Sequence, residues 1–221
     1  IGAENIILSN ESSANEATIS GTDINHQYSK SYAFEADFNK YAKRNWAAGI
    51  RYFSLLRPFN ELQIAKKFAA LKEFHLVFRS CNAGSKSNIW CGKCAKCLFV
   101  YIILSPFMER EELIDIFGGD LLGKEEILGD FEALAGIRED KPFECVGTVE
   151  EVRCALELTV QKYIARGTEL PVLLRHYAKQ GQTGCGKSPA EMLSAFNPEN
   201  SMPEEFKRYT AEMYNYVSKA D

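Results

Sequence analysis

Cys81-Asn-Ala-Gly-Ser-Lys-Ser-Asn-Ile-Trp-Cys91-Gly-Lys-Cys94-Ala-Lys-Cys97 is the stretch from which the fold is read. It holds four of the chain's seven cysteines. A Cys-x2-Cys pair lets two thiolates grip one ion, and Gly92 permits the tight turn between Cys91 and Cys94. Cys94 and Cys97, three apart at a helix start, fall on one face. Four thiolates with no spare ligand position describe a closed tetrahedral zinc site of structural role. Such a site carries a net charge of about -2, which Lys86, Lys93 and Lys96 can offset. The rival is a [4Fe–4S] cluster, but there the Cys run continues to a further Cys followed by Pro, whereas Leu98 follows here. Buried, unligated cysteines are the third reading.

Outward from this cluster, the chain is that of a soluble globular protein. Its 221 residues are 46% hydrophobic and 25% charged. That composition supplies a core and excludes a disordered tail, a collagen-like rod or a disulfide-stapled miniprotein. The net charge of -4 gives no strong field to draw the chain onto nucleic acid or an anionic bilayer, so neither partner is expected. The longest apolar run, Leu98 to Leu104, falls far short of the eighteen or so residues of a membrane span. No basic segment followed by an apolar stretch opens the chain, and a cytoplasmic location is expected. Ile1 stands inside what reads as a loop leading to a strand, which suggests a trimmed N-terminus.

The first half alternates. Ile6 to Leu8 predicts a short strand, and Phe34, Phe38, Tyr41 and Ala42 share one face of a helix. Ile50 to Leu56 predicts a strand stopped by Arg57-Pro58. Asn60 caps a helix carrying Leu62, Ile64, Ala65, Phe68 and Leu71. Leu76 to Phe78 predicts a further strand, and Ala95 to Phe107, apolar nearly all round, a buried helix. Beyond Pro106 the pattern is helical over 109–117, 124–135, 148–166, 170–179, 190–196 and 203–217. The fold class expected is α/β, a partial parallel sheet with a four-Cys zinc site, followed by an all-helical region. The domains are then 1–107 and 108–221.

Gly181-Gln-Thr-Gly-Cys-Gly-Lys-Ser188 matches the phosphate-binding string G-x4-G-K-[ST] letter for letter. The physics of that motif needs a buried strand before it and further parallel strands after it. A helix precedes this one and little chain follows, so it reads as a Gly-rich linker.

The order of features from Arg51 to Phe107 resembles the C-terminal portion of the PP-loop, N-type ATP pyrophosphatases. Its zinc motif is similar to that of 7-cyano-7-deazaguanine synthase. Three stretches resemble the UDP-N-acetylmuramoyl-L-alanyl-L-glutamate epimerase family: Ser9-Asn-Glu-x2-Ala-Asn-Glu16, Asn25-His-Gln-Tyr-Ser-Lys-Ser31 with Phe34-Glu35, and Lys141-Pro-Phe-Glu-Cys-Val-Gly-Thr-x-Glu-Glu151. The superfamily's ATP loop, Ser-Gly-Gly-x-Asp-Ser, does not occur in this sequence. In the family it lies upstream, so the expectation is the C-terminal portion of a longer enzyme, inactive without the upstream PP-loop region of the same polypeptide.

The resemblance implies an isomerase of peptidoglycan-precursor synthesis that inverts the terminal L-glutamate of a UDP-linked muramoyl peptide. ATP and Mg2+ would be needed because an α-proton beside an ionised carboxylate is hardly acidic. An acyl adenylate removes that charge and offers a carbonyl to take up the new one. Asn10, Glu11, Ser12, Asn15 and Glu16, after a strand, and Asn25, Gln27 and Lys30, before a helix, are the candidate substrate- or nucleotide-binding residues. Arg57 can hold a phosphate or carboxylate bidentately, and Glu11 or Glu16 can bind Mg2+. His26 is a candidate general base. Cys145 is the other candidate acid–base group, close before a helix capped by Thr148 with Glu151 completing a capping box. Glu150 and Glu151 oppose its ionisation. Gly147 and Thr148 offer backbone N–H groups to an anion. The alternatives are another PP-loop ligase and a non-catalytic, zinc-stabilised interaction module.

Overall fold

The computed structural model describes residues 3–15, 22, 24–46, 49–139, 142, 144–181 and 186–219. Glu16, Lys141, Phe143 and the middle of the Gly181–Ser188 motif lie outside them. Strand β1 (Asn5–Leu8) pairs in parallel with β2 (Arg51–Ser54), Asn5 opposite Arg51 and Leu8 opposite Ser54. Parallel strands need a crossover, and helix α1 (Tyr32–Asn45) supplies it. Ser31 caps α1, its Oγ accepting from the Phe34 N–H, and Phe38 packs on Tyr52 of β2 with ring centroids 4.5 Å apart.

Among the described residues the sheet stops at two strands, and the chain is mostly helical. The predicted strand Leu76–Phe78 is a turn. Two features account for the difference. The outer edge of β2 is closed by side chains of α1: Asn39 Oδ1 accepts from the Tyr52 N–H at 3.1 Å, and Glu35 Oε2 from the Ser54 N–H at 3.2 Å. Leu76 and Val77 point into solvent, 66% and 67% exposed, while Phe78 folds back onto Phe68. A short apolar run fits such a turn as well as a strand.

Helix α2 (Glu61–Ala69) starts on the Asn60–Gln63 capping box, and α3 (Ala95–Leu104) is capped by Cys94. Helices α4 (Arg110–Phe117), α5 (Leu128–Leu134), α6 (Val149–Ala165), α7 (Val172–Lys179), α8 (Pro189–Leu193) and α9 (Lys207–Val217) follow. α3 is the axis of the core. Leu98, Phe99, Tyr101, Ile102, Ile103 and Leu104 are all buried, and α3 packs against α2, α4, α5 and α6. It ends at Leu104, before the turn through Pro106. The Thr148–Glu151 capping box forms as the spacing predicts. Among the described residues no helix is long and apolar enough to cross a membrane.

Candidate functional site

Local sequence builds the cysteine cluster. Gly92 takes a left-handed φ of 65° that turns Cys91 back toward Cys94, and the start of α3 puts Cys94 and Cys97 on one face. The Sγ atoms of Cys81, Cys91, Cys94 and Cys97 all lie within 4.8 Å of one another. The separations are 3.9 Å for Cys81–Cys94, 3.7 Å for Cys91–Cys97 and 3.5 Å for Cys94–Cys97. A disulfide needs about 2.05 Å. A tetrahedron with Zn–S of about 2.3 Å has S···S edges of about 3.8 Å, so the donor set fits one tetrahedral ion. Backbone N–H groups turn toward the sulfurs, Gly84 and Cys91 toward Cys81 and Cys97 toward Cys94.

Burial opposes ionisation of Cys94 and Cys97, pushing Cys94 up to about 11 and Cys97 further. At Cys91 burial also raises, but the Lys93 N–H and the neighbouring thiols outweigh it and bring the group down to about 7. A bound cation would favour the thiolate form of its ligands. Lys124 adds a positive charge at the rim, its Nζ donating to the Gly92 carbonyl at 3.0 Å; the sequence reading missed it.

The second feature is a junction of polar loops. The segment after β1 and the segment before α1 are tied to each other: Asn25 Nδ2 donates to the Ala14 carbonyl at 2.8 Å, and the Tyr32 N–H to Asn15 Oδ1 at 2.9 Å. Arg57, fully enclosed, holds the carbonyls of Glu11 and Lys30, each at 2.7 Å, and pairs with buried Glu35. Its Nη donors therefore serve the chain itself. Ser12 Oγ donates to the Phe59 carbonyl, and the Asn10 carbonyl accepts from Ser54 Oγ. Gln27 is buried and His26 half-buried beside it.

The loop after β1 then reaches the turn before α6. Ser13 Oγ donates to Glu151 Oε1, which also accepts from the Glu61 N–H at 2.8 Å, while Glu151 Oε2 accepts from the Thr148 N–H at 2.6 Å. This buried carboxylate occupies the anion position expected of Gly147 and Thr148. Burial holds Glu151 above the usual carboxylate range, against the hydrogen bonds that favour its charge. Glu61 is raised as well. Burial first, then the charges of Glu11 and Glu151, push it up to about 8, with Lys96 and Lys30 pulling the other way. Lys96 Nζ donates to the carbonyl of half-buried Cys145.

A cleft of about 330 Å³ opens beside this junction, with Ser12, Ser13, Asn60, Thr148, Glu150 and Lys187 in its walls. Lys187 belongs to the Gly-rich string, and its N–H donates to Glu150 Oε1 at 2.9 Å. A second cavity, of about 590 Å³, lies between α3, α4, α6 and α7. Its cations are committed, Arg110 to Asp120 and Arg166 to Glu109. Sequence reasoning missed Ser13 and Glu61, and it placed Glu151 in a capping box and beside Cys145 without its link to the loop after β1.

Residues 1–55 match the family described as the MurL N-terminal domain, and residues 77–186 the MurL C-terminal domain. A protein of Xanthomonas oryzae pv. oryzae named UDP-N-acetyl-alpha-D-muramoyl-L-alanyl-L-glutamate epimerase is 41% identical over 169 residues, 73% of this chain and 38% of that protein. Proteins of the same name from a Micromonospora species and Salinispora tropica are 41% and 42% identical, over 71% and 69% of this chain and 36% and 35% of theirs. The chain thus spans less than two fifths of the length of these relatives. No solved structure matches it. The chain is of the class that joins a MurL N-terminal to a MurL C-terminal segment. It belongs to the MurL epimerase family.

Proposed function

We propose that this chain is part of an ATP-dependent epimerase that inverts the terminal L-glutamate of UDP-N-acetylmuramoyl-L-alanyl-L-glutamate, in cytoplasmic peptidoglycan-precursor synthesis. One observation carries the reading. The third stretch that resembles the epimerases lies far along the chain from the first two, yet the described parts of all three are joined through the Asn25–Ala14, Tyr32–Asn15 and Ser13–Glu151 hydrogen bonds. A shared ligand site is a reason for such convergence. The division into a PP-loop-like part, 1–107, and a helical part, 108–221, belongs to the same reading. The sheet and the cysteine cluster in the first part support it.

In the proposed reaction the substrate carboxylate attacks the α-phosphate of ATP, pyrophosphate leaves with Mg2+, and an acyl adenylate forms. The α-proton leaves to a base on one face, and an acid returns a proton on the other. Water then releases AMP. Cys145 and His26 are the proposed acid–base pair. Asn10, Glu11, Ser12, Asn15, Glu16, Asn25, Gln27, Lys30, Arg57, Gly147 and Thr148 form the proposed binding set, several of them by holding the loops in place. Zinc on Cys81, Cys91, Cys94 and Cys97 would fix the entry to α3, with no part in the chemistry.

The test is incubation of the whole gene product with ATP, Mg2+ and the UDP-muramoyl dipeptide in D2O. Deuterium at the glutamate α-carbon, with release of AMP and pyrophosphate, is the expected result. Its absence defeats the epimerase reading.

A further inference from the structure

We infer that Glu151 is a positioning residue, which locks the Ser12–Asn15 loop against the Cys145–Thr148 turn so that both walls of the cleft present their groups in register. The inference rests on the functional reading above. Its observation is a single buried carboxylate shared by three elements. Oε1 takes the Ser13 hydroxyl and the Glu61 N–H, and Oε2 takes the Thr148 N–H. Ser13 and Glu151 are 138 positions apart, one in each of the segments that match MurL domains.

All three partners are donors, so both oxygens serve as acceptors. A capping box alone needs only one of them. Here the box oxygen and its twin are both engaged, and the extra pair of bonds leaves α6 to reach α2 and the loop after β1. Both walls of the cleft, Ser12 and Ser13 on one side and Thr148 and Glu150 on the other, are joined through this side chain. A displacement of about 1 Å between ligand-holding groups can lower turnover about a hundredfold. Of the charged groups, Glu61 from α2 acts on Glu151, and Glu61 in turn faces Glu11 from the loop after β1, Lys96 from α3 and Lys30 from the segment before α1. None of these bonds to the Glu151 oxygens through a side chain. Among the described residues the tie consists of these three hydrogen bonds.

Two substitutions test this in the whole gene product. Glu151→Gln keeps the size but sets an amide N–H2 against one of three donors. Ser13→Ala removes only the link to the loop and leaves the capping box, so it folds even if the first does not. Amide hydrogen exchange over residues 12–15 reads the tie without reference to activity, and both variants should raise it at least tenfold. Steady-state kinetics reads the role: kcat should fall about tenfold or more while KM for ATP holds. The double variant should be no worse than Glu151→Gln, because both break one linkage. Unchanged exchange overturns the tie, and loosened exchange with unchanged kcat overturns the positioning role. A wild-type protein that turns nothing over brings down the epimerase reading and the role with it, while exchange still shows whether the tie exists.

Discussion

Asn39 on α1 holds both backbone groups of Tyr52 on β2, donating from Nδ2 to its carbonyl at 2.6 Å and accepting its N–H at Oδ1 at 3.1 Å. One amide thus stands where a third strand would pair. Asn39→Ala removes both bonds and leaves a half-buried strand edge unmet. The expected cost is about 1–3 kcal/mol, read as a lower urea midpoint with an unchanged slope. Asn39→Asp, which keeps the acceptor and loses the donor, should lie between. A variant as stable as wild type would show the edge to be closed by something else.

Glu35 continues that closure, because it accepts from the Ser54 and Ser201 N–H groups as well as from Arg57. Arg57 and Glu35 are both fully buried. Removing one member of such a pair leaves an uncompensated charge, at about 3–5 kcal/mol. Arg57→Met should therefore destabilise strongly, and Glu35→Leu combined with Arg57→Met should recover part of the loss. Equilibrium unfolding of the two variants beside wild type decides it.

The cysteine cluster predicts one equivalent of zinc in the purified chain, measured by elemental analysis. Cys97→Ser should lose it and lower the thermal midpoint, and a chelator should do the same to wild type, since metal binding and folding are coupled at such sites. Iron and inorganic sulfide in place of zinc would establish the rival cluster.

Glu61 sets a pH dependence whose sign can be worked out. Its ordinary value is 4.5, and the folded chain raises it to about 8. The folded state then holds a proton that the unfolded chain has released. Its contribution to stability is full below about 4.5 and is lost as pH rises toward about 8. Glu151, also raised, acts in the same direction. One pKa step is worth about 1.4 kcal/mol, so even part of this shift is measurable. Glu61→Gln should flatten the fall in urea midpoint between about pH 5 and pH 8. An unchanged slope in the variant would assign it to other groups.

What the sequence made legible is what depends on short range. The four cysteines lie within one loop and the first turns of a helix, and the Asn60 cap and the Thr148–Glu151 box each act within three positions. The apolar run from Leu98 to Leu104 announced a buried helix for the same reason. The two-stranded limit of the sheet was hidden, because Asn39 and Glu35 look like ordinary polar helix residues until α1 lies along β2. Leu76–Phe78 misled because a turn that exposes two apolar side chains has the same letters as a strand. The Ser13–Glu151 bond leaves no periodicity at all, since it joins a loop to a helix across most of the chain.

Gly147 offers a steric test of the same junction. A Cβ there would lie 2.6 Å from Glu151 Oε2 and 2.9 Å from Cζ of Phe99. Phe99 is locked in the core at 1% exposure, so the carboxylate is what must yield. Gly147→Ala should cost about 1–3 kcal/mol by overpacking and, by displacing Glu151, should raise hydrogen exchange over residues 12–15. Gly167→Ala is the matched control. It has a left-handed φ of 65° and nothing within 4 Å of the added atom, so it carries backbone strain of about 1 kcal/mol without touching the junction. Equal loosening of residues 12–15 in both variants would mean that the loop responds to lost stability in general. Loosening in Gly147→Ala alone would mean that the strain travels through Glu151.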